Sequence, residues 1–390
     1  MKSTVESFSW QQTLKVNILM LKMLGLWPPG DGTYGFNLYT LYKIFSVLCF
    51  ELCHIGAQTV KLFFILDDLQ AVTGSIFVLL MEMLGLLKSY CIIRNMGMLK
   101  QLTITLSNDL FQPKNLHQKN LIQPSLNAWK SIASALWILC FGWMLTWMLS
   151  PIFDKSFKQY RLPFLAWYPY NTQTSPQYEL TYLHQLTGIS YICMNSLTSD
   201  TLIAALNMYI GAQFDILSDD VRNFYDGVKS SPADASGKLK SCIKHHREIL
   251  KLAEDANHFY KSLIFFEFLI GGISIGLSMF QLTLVIPLSS EFYSFVSYTF
   301  CISVQVFLYC WFGNEIELKS SKLPYAVFES DWTELTPEVK TLLIIFILRT
   351  QRPLKMSAYG LFFLTLETFV KILRTAYSYF ALLREVNSPQ

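Results

Sequence analysis

Apolar residues fall along this chain in long runs separated by short polar or charged links, the pattern of helices that cross a bilayer. At 1.5 Å rise per residue, about 20 residues cross a ~30 Å hydrocarbon core. Six runs meet that length: 38–66, 70–93, 131–153, 186–210, 265–288 and 292–312. The third and sixth carry no charge, the fourth only Asp200 and the fifth only Glu267. Ahead of them an amphipathic stretch, 13–27, stops at Pro28-Pro29-Gly30-Asp31-Gly32. Lys15 and Lys22 beside Val16, Ile18, Leu19, Met20, Met23 and Leu24 predict a helix lying in the membrane interface.

After the sixth run the pattern changes. Thr336 as N-cap, Pro337 at the first helical position and Glu338 in the first turn predict a helix over 337–350, stopped by Arg352-Pro353. A further helix over 357–383 is long enough to be a seventh span, yet Glu367, Lys371, Thr375 and Ser378 recur along it at helical spacing, continued by Leu382 and Val386. Charge facing lipid costs several kcal/mol, so the stripe faces protein or water. It suits one subunit's share of a gated pore, and it equally suits an i,i+4 pair, Glu367–Lys371, packed against a neighbouring helix.

Composition supports an integral membrane protein: 52% of residues are hydrophobic and only 15% charged. A net charge of +3 is too small to suggest a nucleic-acid partner. The first twelve residues lack the apolar core of a cleavable signal. None of the eight cysteines lies in the longest outside loop predicted, 151–181, and His245-His246 stands alone in a charged segment, so neither a disulfide framework nor a metal site is expected. Intramembrane acids and bases are too sparse for paired catalysis, and no nucleophile motif or phosphate loop is present; neither an enzyme nor a cofactor is expected. Asp200, Glu82, Lys88, Glu51, Lys61 and Glu267 read as helix-to-helix or headgroup partners, and Gly272 with Gly276 as a close-packing face.

With the N-terminus placed inside, the inner segments carry 22 basic residues and the outer ones 4, which predicts a cytoplasmic N-terminus and an extracellular C-terminus. A G-protein-coupled receptor has the opposite orientation, and its usual acidic-Arg-Tyr and Asn-Pro-x-x-Tyr motifs are missing. A retinal protein needs an acidic counter-ion that the third span does not offer. The charged segment 214–260 predicts that spans four and five continue into the cytoplasm and pack there with the Pro337 helix. The expected divisions are therefore an N-terminal segment (1–36), spans one to six (37–312), an anchor helix (313–356) and the seventh span with its tail (357–390).

Arg352-Pro353-Leu354-Lys355, then Leu364, Phe369 and the run Leu373-Arg374-Thr375-Ala376-Tyr377-Ser378-Tyr379-Phe380 resemble the C-terminal signature of insect odorant receptors. Cys310-Trp311-Phe312-Gly313-Asn314-Glu315 and Ser199-Asp200-Thr201-Leu202 are similar to two further segments of that family. The resemblance implies an all-α membrane protein of seven spans whose inner helix ends form the anchor where four subunits meet. It implies a tuning subunit of a ligand-gated, non-selective cation channel, assembled with the shared co-receptor in the plasma membrane of olfactory sensory dendrites. The co-receptor itself carries a longer insertion between spans four and five. Alternatives are a gustatory-receptor-like subunit, disfavoured by the ending Tyr377-Ser378-Tyr379-Phe380, and a poreless seven-helix carrier or scaffold, for which no inverted repeat speaks.

By position after Tyr379-Phe380, Leu382 resembles the family's hydrophobic gate and Val386 its second ring, with Ser378 below and Glu385 at the outer mouth favouring cations. Lys371 is expected to turn from the axis, paired with Glu367. The family's pocket for a small volatile organic ligand lies in the outer halves of spans two, three, four and six. Here that depth holds Ser75, Phe77, Val78 and Met81; Phe141, Met144, Leu145, Thr146 and Met148; His184, Gly188, Tyr191, Ile192 and Asn195; and Phe295, Tyr298, Thr299 and Ile302. Aromatic and methionine side chains suit loosely oriented apolar contact.

Overall fold

The computed structural model describes residues 10–30, 34–153, 159–225 and 231–386. It is a helical bundle. In chain order the helices are α1 (Trp10–Met23), α2 (Leu38–Ser46), α3 (Cys53–Phe63), α4 (Leu69–Arg94), α5 (Met96–Thr105), α6 (Leu116–Phe153), α7 (Gln177–Arg222), α8 (Pro232–Leu284), α9 (Ser290–Phe328), α10 (Pro337–Thr350) and α11 (Leu366–Val386). Five described helical segments are long and apolar enough to cross a membrane: α2 with α3, α4, α6, α8 and α9. Helices α7 and α11 are more polar and pack within the same bundle, α7 at its centre and α11 on its flank.

The first span is one helix from Leu38 to Phe63 with a π-helical turn, Val47–Leu52, in its middle. The wider turn aims Glu51 inward, where Oε1 accepts hydrogen bonds from Ser89 (2.8 Å) and Asn195 (3.3 Å). The carbonyl of Cys49 in the same turn meets Nε2 of His184 at 3.0 Å. Helix α1 docks one face on α7. Trp10, Leu14 and Leu21 are buried there, and Asn17 donates to Thr198 O (3.1 Å) and Thr201 Oγ1 (2.7 Å), while Val16, Leu19 and Met23 face outward. The predicted interfacial helix is thus held by protein on one side.

Helices α7 and α8, with 46 and 53 residues, reach roughly 70 and 80 Å, more than twice a hydrocarbon core. Their extensions form, with the end of α9 and with α10, a second packed region beyond the spans. Leu239, Ile249, Leu252, Ile316, Leu323, Leu343 and Phe346 fill it, and Lys319 bridges to Asp215 at 2.6 Å. Ser231 caps α8, its Oγ accepting from Asp234 N (3.2 Å) ahead of Pro232. Thr336 holds the extended conformation of an N-cap before α10, but its hydroxyl makes no capping bond. The proposed division at 313 coincides with no break, since α9 runs straight through it.

In this extended region burial holds the imidazoles of His245 and His246 down to about 4, and His245 bonds through Nε2 to Gln213 Oε1 at 3.1 Å. Asp220 opposes that shift in His245; Lys114 and His246 add to it, as Arg349 does for His246. Both rings are neutral when folded and take up protons below about 6.5 when unfolded. Stability present above that pH is lost as pH falls toward 4. The melting temperature of the solubilised protein should therefore drop across this window, and His245→Gln should flatten the decline. A flat profile in the wild type would contradict it.

One predicted helix is corrected. The chain from Ser357 to Phe363 is a two-stranded hairpin, β1 (Ser357–Ala358) and β2 (Phe362–Phe363), with Ser357 opposite Phe363 and Ala358 opposite Phe362. Tyr359 and Gly360 both have positive φ, 54° and 71°, and Leu361 N donates to Ala358 O at 3.0 Å. Positive φ at both central residues is a type I′ turn, which no α-helix accommodates. Helix α11 therefore starts nine residues later than expected, at Leu366.

Candidate functional site

Inside the bundle α4, α6, α7 and α9 border a partly open cavity of about 150 Å³. Its wall steps along each helix at intervals of three and four residues, one face per helix. Val78, Met81 and Glu82 come from α4; Leu136, Leu139, Cys140 and Trp143 from α6; Ile189, Ile192, Cys193, Ser196, Leu197 and Asp200 from α7; Tyr298, Cys301, Ile302, Gln305 and Leu308 from α9. A space of this size, lined by aliphatic and aromatic side chains, is one that a single-ring molecule fills.

The floor is charged. Asp200 Oδ1 lies 2.6 Å from Lys88 Nζ, and the same ammonium lies 2.8 Å from Glu267 Oε2 and donates to Ser196 Oγ at 3.0 Å. All three ionic side chains are at most 4% exposed. Tyr309 and Gln305 of α9 also donate to the two oxygens of Asp200. Charge this deep persists only when paired and hydrogen-bonded. The network ties α4, α7, α8 and α9 together directly beneath the cavity. A second polar group, Gln58 of α3, donates to Glu82 Oε2 at 2.6 Å in the cavity wall.

Of the eighteen residues expected at pocket depth, Val78, Met81, Ile192, Tyr298 and Ile302 line this space. Met144 and Met148 lie in a small adjoining pocket with Phe164 and Ile189. Phe77 and Phe295 stand behind the wall in an aromatic cluster, the Phe77 ring 4.8 Å from Tyr298 and 5.6 Å from Phe295. Four others point elsewhere. Phe141 and Leu145 are 45% and 56% exposed on the outside of α6, half a turn from Cys140 and Trp143. Tyr191 turns to α1, donating to Leu24 O at 2.8 Å, and Asn195 donates to Gly85 O (2.9 Å) and Ser89 Oγ (2.8 Å), pinning α7 to α4. The side chain of Thr146 lies outside the described residues.

Helix α11 rests on α8 and α9 by a narrow strip, with Thr368, Ile372 and Ala376 buried. Gly272 and Gly276 of α8 let it approach: a β-carbon at Gly276 would stand 2.9 Å from Ala376 O. Ser378, Leu382 and Glu385 are exposed, and the side chain of Val386 lies outside the described residues. Glu367 and Lys371 pair at 2.6 Å on the same uncovered side. Helix α10 likewise leaves Ile344, Ile345 and Leu348 uncovered.

Residues 68–377 match the family model described as the 7tm odorant receptor. Odorant receptor Or1 of Anopheles gambiae is 25% identical, covering 98% of this chain and 97% of its own length. Odorant receptor 46a, isoform A, of Drosophila melanogaster is 24% identical over 94% and 96%. The fold is similar to that of the insect olfactory receptor OR5 from Machilis hrabei in complex with eugenol, with a TM-score of 0.85 over 97% of this chain and 99% of that one at 19% identity. With the model matched across four-fifths of its length, the chain belongs to the insect odorant receptor family, a family of receptors rather than enzymes.

Proposed function

We infer that this chain is the ligand-specific subunit of a heteromeric, ligand-gated, non-selective cation channel, opened by a small volatile organic molecule in the α4–α6–α7–α9 cavity. The observation that carries this reading is the cavity itself, apolar and built on the polar network that reaches α8, on which α11 rides. A ligand that fits the cavity better when α8 and α11 have moved biases the chain toward that arrangement. The uncovered stripe of α11, Ser378, Leu382 and Glu385, needs partners, and so does the apolar face of α10 beyond the spans. A tetramer with the co-receptor covers both. In it Leu382 forms the dewetted gate, Val386 a second ring and Glu385 a cation-attracting mouth. The N-terminus and the extended ends of α7 to α10 then lie in the cytoplasm, the C-terminus outside, in the plasma membrane of the sensory dendrite.

The test is whole-cell current under a panel of volatile alcohols, esters, terpenes and aromatics, with the chain expressed alone and with a co-receptor. A ligand-dependent cation current in co-expressing cells alone is expected. Current from the chain by itself would replace the heteromer with a self-sufficient channel. Leu382→Ser should raise the resting current several-fold by wetting the constriction, and an unchanged leak at equal surface expression would remove Leu382 from the gate.

A further inference from the structure

On the reading that the cavity holds the ligand, the chemistry of its wall narrows what that ligand is. The polar groups there are engaged with protein. Asp200 receives Lys88, Tyr309 and Gln305, Ser196 accepts from Lys88, Glu82 accepts from Gln58, and the hydroxyl of Tyr298 donates to Phe77 O at 3.1 Å. The rest of the wall is aliphatic carbon, sulfur and the rings of Trp143 and Tyr298. The sulfur is evenly spread. Each of the four helices contributes one sulfur-bearing side chain: Met81 from α4, Cys140 from α6, Cys193 from α7 and Cys301 from α9. Three of the chain's eight cysteines thus stand in one small space. All four side chains are half-buried, not sealed in packing. Around Cys193, on the central helix, Ile192, Asn195 and Leu197 are buried, so its open side is the cavity. The thiols of Cys140 and Cys193 hydrogen-bond to each other, which makes the sulfur surface continuous from α6 to α7.

We propose that the cavity is a sulfur-lined seat for an aromatic ring, and that it takes a compact aromatic ligand in preference to a saturated ring of the same size and functional group. Sulfur is polarisable and sits favourably about 5 Å from an aromatic ring, often at its edge. Trp143 and Tyr298 offer edge-to-face or offset contacts that only another π-system completes. A saturated ring fills the same volume and has the larger apolar surface, so burial of area alone favours it. Preference for the aromatic member therefore reports the sulfur and ring contacts and not hydrophobicity. Two or three such contacts made at once amount to about tenfold in affinity.

Matched pairs test this in the full chain co-expressed with a co-receptor: toluene and methylcyclohexane, anisole and cyclohexyl methyl ether, acetophenone and cyclohexyl methyl ketone. In each pair that evokes current, the aromatic member should act at about one tenth of the concentration of its partner. Cys140→Ala, Cys193→Ala and Cys301→Ala together should cut that ratio several-fold. The void they leave costs both members alike, so the ratio isolates the sulfur. Met81→Leu keeps the volume while removing the fourth sulfur, which keeps the comparison usable if the triple variant does not reach the surface. Cys53→Ala, away from the cavity on α3, should leave the ratio unchanged. Ile302→Trp, which fills the cavity, separates the two readings. Unaltered responses there at normal surface expression would overturn the cavity as the ligand site. Responses lost there, with a wild-type ratio near one or a ratio unmoved by the sulfur replacements, would keep the cavity and overturn the sulfur seat. Silence to every pair at confirmed surface expression would overturn the aromatic class.

Discussion

Lys88→Met should abolish surface expression, with the protein retained and degraded. Lys88 is the shared cation of Asp200 and Glu267, and none of the three has an aqueous route for its charge. Removing one partner of a buried ion pair costs about 3–5 kcal/mol, against a total stability of only about 5–15 kcal/mol for a typical domain. Here the loss strands two carboxylates at once, so the upper part of that range applies. Asp200→Asn with Glu267→Gln added to Lys88→Met removes every formal charge from the site and should recover much of the expression, because the cost lies in the uncompensated charge. Surface labelling and thermal melting of the detergent-solubilised protein read both. Normal expression and melting of the single variant would mean the network is not needed for folding. The recovered triple variant has a second use. Asp200 belongs to the cavity floor and Glu267 to the helix that carries α11, so its dose–response measures how much ligand coupling passes through these charges.

The membrane-spanning helices were legible because long apolar runs have few alternatives in a membrane, whereas α5 was not expected. The expectation that Asp200, Glu82, Lys88, Glu51 and Glu267 join helix to helix fits where they sit. Rotation about each helix axis was the harder quantity. Ligand residues were selected by depth, which takes in every face, and so Phe141 and Leu145 came with Met144 although they face outward. A usable marker was present. An intramembrane Asp200 must face the interior, and stepping back from it by threes and fours reaches Leu197, Ser196, Cys193, Ile192 and Ile189, all five in the cavity wall. Tyr191 and Asn195 fall off that series, and both are engaged in packing. The hairpin was hidden for another reason: the residues from Ser357 to Thr365 are apolar enough to pass as a helix start, and only Tyr359-Gly360 marks the turn.

The glycines beneath α11 were visible in the sequence without their rank, and the structure orders them. Gly313→Ala should be the most damaging of three alanine substitutions, Gly276→Ala intermediate and Gly272→Ala close to neutral. A β-carbon at Gly313 would fall 2.3 Å from Leu364 Cβ and 2.5 Å from Leu364 O, distances that real β-carbons essentially never show. Neither atom ends a flexible side chain, so α9 and the segment entering α11 must part. Leu364 is buried and its amide donates to Met356 O at 3.0 Å, which anchors the hairpin that aims the first turn of α11. At Gly276 the nearest atoms are Ala376 O at 2.9 Å and Tyr379 Cβ at 3.2 Å, a smaller conflict with the middle of α11. At Gly272 the nearest is Ile372 Cγ2 at 3.5 Å, ordinary contact that adds packing without strain. Overpacking of this kind costs about 1–3 kcal/mol, so melting temperatures should fall in the order Gly313, Gly276, Gly272. The ligand-evoked current should fall in the same order if the displaced element carries the gate as proposed. Equal effects at all three positions would mean that α11 yields freely along α8 and α9, and that its seat is softer than these distances imply.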